Sequence, residues 1–294
     1  MSAAGSVAHA ARLIREGRLV AFPTETVYGL GANALDAAAV ARIFAAKGRP
    51  QTSPLIVHVD SIAMAQRFAA AWPAAAEKLA QRYWPGPLTL VLPKQPEIPD
   101  IVTAGLPSVG LRVPAHPLAL ELIRAAGVPI AAPSANRFTE LSPTVVEHLP
   151  AALADYTLDG GPARVGIEST VLSLVDRPVL LRPGVIPLPE IEAAIGPVQT
   201  ASGPSAGAHA SPGMHPRHYR PRTPLYLGNP PSKGRGEWLR VGLEMPADAT
   251  AYAAALYGTL HRLDQQGLDW IAVELPPDTP EWAGVLDRLK RAAQ

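Results

Sequence analysis

An apolar run that stops dead at a proline constrains this chain more than any other feature. Leu19-Val20-Ala21-Phe22 is followed at once by Pro23-Thr24-Glu25-Thr26-Val27-Tyr28-Gly29-Leu30-Gly31-Ala32. An apolar run ended by Pro and Gly reads as a buried strand feeding a turn. The turn then carries the hydroxyls of Thr24, Thr26 and Tyr28 to a strand end, where open α/β sheets bind ligands. Gly29 and Gly31 either make the turn or let backbone approach a ligand closely. A second stretch is Lys47-Gly48-Arg49-Pro50, followed by Ser53-Pro54-Leu55-Ile56-Val57-His58-Val59, a buried-looking strand with one histidine. A third is Ala131-Ala132-Pro133-Ser134-Ala135-Asn136.

Together these stretches resemble the YrdC-like family, the threonylcarbamoyl-AMP synthases, which read PTET-x-YGLG, K-x-RP with PL-x-x-H, and S-x-N in that order. Tyr83-Trp84-Pro85-Gly86-Pro87-Leu88-Thr89, Val109-Gly110-Leu111-Arg112-Val113-Pro114, Glu168-Ser169-Thr170-Val171 and Leu181-Arg182-Pro183-Gly184 extend the likeness. It covers roughly residues 7 to 227. The fold it implies is α/β: a twisted, mixed YrdC-like β-sheet flanked by helices, with a linker and a small C-terminal α/β domain.

The chain has 294 residues, enough for one large domain or two, and 48% hydrophobic residues to build a core. Its net charge of +1 makes no basic nucleic-acid surface. The absence of cysteine excludes disulfides, thiol chemistry and Cys-zinc sites. No signal peptide and no 18-residue apolar run is present, so the expected location is the cytoplasm, off the membrane. Helices are expected over Val7 to Glu16, Ala37 to Ala46 behind an Asp36 cap, Ile62 to Phe68, Ala74 to Tyr83, His116 to Ala126, Pro143 to Leu149 and from about Pro189. Strands fall between them. From Pro197 to Gly213 the chain is nearly all Gly, Pro, Ser and Ala, which builds no core and reads as a linker. The expected division is 1–196 catalytic domain, 197–223 linker and lid, and 224–294 a small α/β domain. A domain of that size is near the lower limit for independent stability and should lean on another surface.

Neither a GxxxxGK[ST] loop nor a GxGxxG turn is present, so any phosphates must be held by side-chain cations. Lys47 and Arg49 supply a point charge and a planar fork; the alternative is a solvated helix end. His58 is either a ligand contact or a hydrogen-bonded core histidine on the face of Ile56. Ser134 and Asn136 either hold a ligand or bond their own backbone in a turn. Arg112 and Arg182 lie in apolar strands and must be paired, by an internal carboxylate or by a ligand's. Glu25 and Glu168 are candidate bases to which spacing assigns no role. His215 and His218 are three apart in a Pro-rich segment that makes no zinc pattern.

The resemblance implies a reaction: L-threonine, bicarbonate (or CO2) and ATP give threonylcarbamoyl-AMP and pyrophosphate, with Mg2+ held mainly by the ATP phosphates. It assigns threonine contacts to Thr26, His58, Arg112, Ala132 and Ser169. It assigns nucleotide contacts to Lys47, Arg49, Ser53, Ser108, Ser134, Asn136, Ser142, Arg182 and Tyr219, with Lys47 and Arg49 stabilising the charge of the transfer. The chain departs from the family at His215 and Pro216, and has Ser108 where threonine is common. The implied partner is a downstream tRNA threonylcarbamoyl transferase. The rival readings are an RNA-binding module, against which the net charge argues, and a carbamoyl transfer module of the hydrogenase-maturation kind.

Overall fold

A computed structural model describes residues 3–201 and 219–293. The chain runs α1 (Ala3–Arg15), β1 (Val20–Phe22), β2 (Gly29–Asn33), α2 (Ala37–Lys47), β3 (Ile56–His58), α3 (Ile62–Phe68), α4 (Ala74–Tyr83), β4 (Leu88–Pro93), α5 (Asp100–Thr103), β5 (Ser108–Arg112), α6 (Pro117–Ala126) and β6 (Ile130–Ala131). Then come β7 (Tyr156–Thr157), β8 (Thr170–Ser173), β9 (Val179–Arg182), α7 (Leu188–Ile195) and β10 (Gln199–Thr200). These ten strands form one mixed sheet in the order β10-β9-β8-β4-β5-β3-β6-β2-β1-β7.

Both faces of the sheet are covered. Ala21 and Leu30 pack with α2, α3, α4 and α7 on one side. Val20 and Phe22 pack with α1 and α6 on the other. The alternation along β1 is the period of two that sends successive side chains to opposite faces. Helix ends follow local chemistry. Asp36 accepts from the Ala38 and Ala39 amides to start α2, and Gly48 closes it at φ 62°. His116 caps α6 and Gly127, at φ 69°, ends it.

The second body contains β11 (Leu225–Leu227), β12 (Gly236–Leu239), α8 (Ala249–Asp264), β13 (Trp270–Val273) and α9 (Ala283–Ala292). Its three strands are parallel in the order β11-β13-β12. Its core is shared: Val27, Leu141 and Ile167 from the larger body pack into the same apolar cluster as Tyr252, Leu256, Leu260, Val285 and Leu289. Among the described residues no helix is long and apolar enough to cross a membrane.

Three expectations are corrected. Gly29-Leu30-Gly31 is a strand antiparallel to β1, and the turn lies before it. The reason for Gly31 is packing: a Cβ there would sit 2.8 Å from Ile130 Cγ2 and from Phe22 Cε1. Pro143 to Leu149 is not a helix; only Val146–His148 forms a single 3-10 turn. The Pro143 and Thr144 carbonyls accept from the Tyr28 and Ala163 amides instead of from their own chain, and Pro150 keeps Leu149 out of the helical region. Gln199 and Thr200 pair with β9 rather than beginning a bare linker. His215, Pro216, His218 and the expected lid up to residue 218 lie outside the described residues.

Candidate active site

The site is built where several strand ends meet. β3 and β5 run parallel in a register that sets Ile56 beside Gly110 and His58 beside Arg112. The loop after β6 is drawn in by the Ala132 amide, which donates to the Ile56 carbonyl at 2.9 Å. Ser169 immediately precedes β8, and Arg182 ends its antiparallel neighbour β9. Thr24, Thr26, Gly29, Arg49, His58, Arg112, Ala132, Ser134, Glu168, Ser169, Arg182 and Tyr219 line one cavity, with Val27, Ile56 and Pro133 as its apolar walls. It encloses about 50 Å³, room for a few waters at about 10–15 Å³ each.

Three buried guanidiniums face it. Arg112 donates from Nε to the Gly86 carbonyl at 3.2 Å and from Nη2 to Thr26 Oγ1 at 3.0 Å. Its Nη2 is also 2.7 Å from Glu25 Oε1, in an ion pair buried on both sides. Among the described residues its Nη1 has no partner. Arg182 donates to the Ser169 carbonyl at 3.1 and 2.9 Å and to Ser169 Oγ at 3.1 Å. Arg49 donates to Ser53 Oγ at 2.5 Å and to the Pro54 carbonyl at 3.1 Å. Burial, with Arg182 nearby, brings Arg49 down to about 10, so it remains a cation at neutral pH. His58 is buried beside Arg112; desolvation and that charge push it down to about 3, and its Nδ1 has no partner among the described residues. It is therefore a neutral imidazole.

Lys47 is buried rather than solvated. Its ammonium donates to the carbonyls of Ser134, at 2.6 Å, and Asn136, and lies 3.4 Å from Asn136 Oδ1. Burial, and then Arg49, lower its proton affinity well below the usual lysine value. It clasps the loop that presents Ser134 to the cavity. Ser53 touches the cavity through Arg49, and Ser142 through Glu168, whose Oε1 accepts from Ser142 Oγ at 2.5 Å. Ser108 stands apart, at the far end of β5 paired with Pro93. It shares a sheet face with Gly110 and Arg112. Tyr28, whose hydroxyl donates to the Gly161 carbonyl at 2.9 Å, braces a neighbouring loop instead of facing the cavity.

The sequence reading missed the contribution of the smaller body. Arg288, fully buried in α9, bonds Glu168 Oε2 through Nε at 2.8 Å and its carbonyl through Nη2 at 3.1 Å. Tyr257 of α8 donates to the same carboxylate at 3.1 Å. Burial alone would raise Glu168, but the Arg288 and Arg182 charges outweigh it and hold it below the usual range. A readable signal existed: Val285, Leu289 and Ala292 make an apolar helix stripe, and Arg288 is a charge set in it. Among the described residues no group of three or more His, Asp or Glu could hold a metal ion.

Residues 12–184 match the family described as telomere recombination, the Sua5/YciO/YrdC proteins. Residues 186–294 match the C-terminal domain of threonylcarbamoyl-AMP synthase. The threonylcarbamoyl-AMP synthase of Pyrococcus abyssi is 43% identical, the match covering 97% of this chain and 93% of the relative. That of Bacillus subtilis is 44% identical, covering 98% and 92%. The crystal structure of P. abyssi Sua5 complexed with L-threonine superimposes with a TM-score of 0.91 at 41% identity, covering 98% of this chain and 94% of that one. With a buried cationic cavity at the strand ends and a second body packed over it, the chain belongs to the threonylcarbamoyl-AMP synthase family, in the form that carries the C-terminal domain.

Proposed function

We propose that this chain makes threonylcarbamoyl-AMP and pyrophosphate from L-threonine, bicarbonate and ATP, for threonylcarbamoyladenosine modification of tRNA. The observation that carries the reading is the division of the cavity's cations. Arg112 stands with Thr26 and neutral His58, and has an uncommitted Nη1. Arg49 and Arg182 both line the cavity beside Tyr219, close enough that the Arg182 charge lowers the proton affinity of Arg49, so their positive potentials add there. One anion at each place is what an amino-acid carboxylate and a polyphosphate supply. The P. abyssi protein, solved with L-threonine, supports the first half of that division.

In this reading Arg112 Nη1 takes the threonine carboxylate. Thr26, His58, Ser169 and the Ala132 backbone orient the rest of the amino acid. The neutral amine attacks the carbon of bicarbonate, the C–OH bond breaks, and the hydroxyl leaves as water with the proton shed by the nitrogen, giving a carbamate. A carbamate oxygen attacks the α-phosphorus of ATP, the bond to the bridging oxygen breaks, and pyrophosphate leaves. Arg49 and Arg182 stabilise the charge on the phosphoryl oxygens. Ser134 and Asn136 hold the nucleotide side of the loop, and Lys47 reaches a phosphate by exchanging one of its carbonyl partners for it. Ser108, two residues along β5 from Gly110 and four from Arg112, would meet the nucleoside at the edge of the site. Ser53 and Ser142 act through Arg49 and Glu168, and Tyr219 walls the nucleotide side. ATP enters as its magnesium complex. Glu168, the cavity's carboxylate, already accepts from Ser142, Tyr257 and Arg288, which leaves Mg2+ to the phosphates. No residue need form a covalent intermediate; positioning and charge suffice.

An RNA-binding role would need cations on an outward face, whereas these three are buried. The product is a reactive mixed anhydride, which a tRNA threonylcarbamoyl transferase in the same cytoplasmic compartment would consume. The test is pyrophosphate release with each substrate omitted in turn. Release only when ATP, threonine and bicarbonate are all present is expected; release without threonine, or of phosphate instead, refutes the reaction.

A further inference from the structure

One guanidinium of the C-terminal domain grips two walls of a cavity built by the other domain. Arg288 takes both the side chain and the carbonyl of Glu168, at 2.8 and 3.1 Å. Its Nη1 donates to the carbonyl of Pro183 at 2.9 Å, one residue after Arg182. Its Cζ lies 5.3 Å from the centre of the Tyr219 ring. The residues it touches therefore flank Ser169 and Arg182 and form part of the cavity wall themselves. The helix that carries it has no slack. A Cβ at Gly284, one turn before Arg288, would come 2.6 Å from the Gly184 carbonyl oxygen, and one at Gly166 would come 2.4 Å from the Ala253 carbonyl oxygen of α8. Both helices thus rest backbone against backbone on the loops that lead into Ser169 and out of Arg182.

The charges give this geometry a purpose. Glu168 is the carboxylate on the cavity wall, in a place where the proposed substrate brings phosphates. Left alone, it would repel them and draw the Arg182 guanidinium to itself, since close opposite charges in a buried site attract strongly. Arg288, Tyr257 and Ser142 occupy its two oxygens instead. We infer that Arg288 is a positioning residue of the neighbouring domain's active site: it neutralises Glu168 and turns it aside, so that Arg182 and Arg49 meet the nucleotide's phosphates unopposed. Supplying this residue is then one function of the C-terminal domain. The inference rests on the proposed use of ATP.

The full-length chain with Arg288→Met, Glu168→Gln and the two combined tests it. Wild-type protein is assayed first, by equilibrium titration with ATP and by pyrophosphate release. If it neither binds ATP nor turns over, the proposed function falls, and this inference with it. With wild type active, Arg288→Met should raise the KM and the Kd for ATP about 10- to 100-fold, the usual effect of a small misplacement of active groups. The threonine KM should change far less. Glu168→Gln should restore most of the ATP affinity to Arg288→Met, because the cavity wall then carries no carboxylate to neutralise; Asp287, the other carboxylate on Arg288, keeps its pairing with Arg291. Wild-type ATP affinity in Arg288→Met would overturn the inference. So would a double variant as impaired as Arg288→Met, with loss tracking the fall in melting temperature, which marks a merely structural ion pair. Should Arg288→Met not fold, Arg288→Lys with and without Glu168→Gln decides: the lysine loses the contacts of the planar fork, so the ATP KM should rise, and Glu168→Gln should lower it again. No recovery on adding Glu168→Gln would refute the charge argument.

Discussion

Arg112 is held from three sides, by Glu25, Thr26 Oγ1 and the Gly86 carbonyl, and still has Nη1 to offer. The sequence shows only that an arginine in an apolar strand must be paired. It cannot say with what, because Glu25 and Gly86 come from distant parts of the chain. The structure shows the internal reading, a salt bridge to Glu25 that fixes the plane of the guanidinium; the ligand reading is the one proposed above for Nη1. The two uses separate by mutation. Arg112→Ala strands a buried Glu25 and should cost about 3–5 kcal/mol of stability. Arg112→Lys keeps a cation beside Glu25 but loses the planar fork. It should stay folded, with threonine affinity about tenfold or more weaker and ATP affinity nearly unchanged. Calorimetric titration with each ligand and a denaturant midpoint for each variant check this; unchanged threonine affinity in Arg112→Lys would deny the carboxylate role. Lys47 was legible as a cation near the site, but its burial against the Ser134 and Asn136 carbonyls depends on packing that no local pattern encodes.

Elements bounded by local chemistry were the readable ones. The start of α2 at Asp36, the run of α3 from Ile62 to Phe68, α4 from Ala74 to Tyr83 and the closure of α6 at Gly127 follow from caps and apolar spacing. Failures fall where partners far away in sequence decide. The Tyr28 and Ala163 amides hold residues 143 and 144 out of a helix, and Phe22 with Ile130 dictates glycine at 31 in a strand. Helix α9 went unread although its apolar stripe is regular. Its docking is testable. Gly284→Ala places a methyl 2.6 Å from a backbone oxygen of the facing loop, and overpacking of this kind costs about 1–3 kcal/mol. A lower melting temperature is expected, together with a raised ATP KM, because Arg288 lies one turn further along the same helix. Gly258→Ala, in α8 with open space around its Cβ position, should be neutral or stabilising. Equal melting temperatures for the two variants would show that the contact yields freely.

The whole molecule is sensitive to acid through its buried histidines. Burial lowers His58 to about 3 and His148 to about 4, and lowers His116 and His261 as well. In the unfolded chain each returns to about 6.5. Below that pH the unfolded state binds protons that the folded state refuses, so stability falls as pH drops from about 6.5 toward 4. Glu168, held below its usual range, adds a loss of the same sign as pH falls through its folded value. The junction should loosen first: His148 and His261 stack across it with ring centres 3.8 Å apart, beside Glu147, Arg222 and Asp264, and two imidazoliums repel. Denaturant midpoints at pH 7.5, 6 and 5 should decrease in that order. A flat profile would remove the histidines from the account. Because Val27, Leu141 and Ile167 belong to an apolar cluster completed by α8, β13 and α9, the order of synthesis also matters. A ribosome adds about 5–20 residues per second, so several seconds separate the emergence of the ten-stranded sheet from that of Arg288. Throughout that interval the nascent chain displays a sticky, half-finished pocket with its acidic wall unguarded. On the inference drawn for Arg288, a chain stopped before α9 should bind ATP more weakly than the full chain and expose Val27, Leu141 and Ile167.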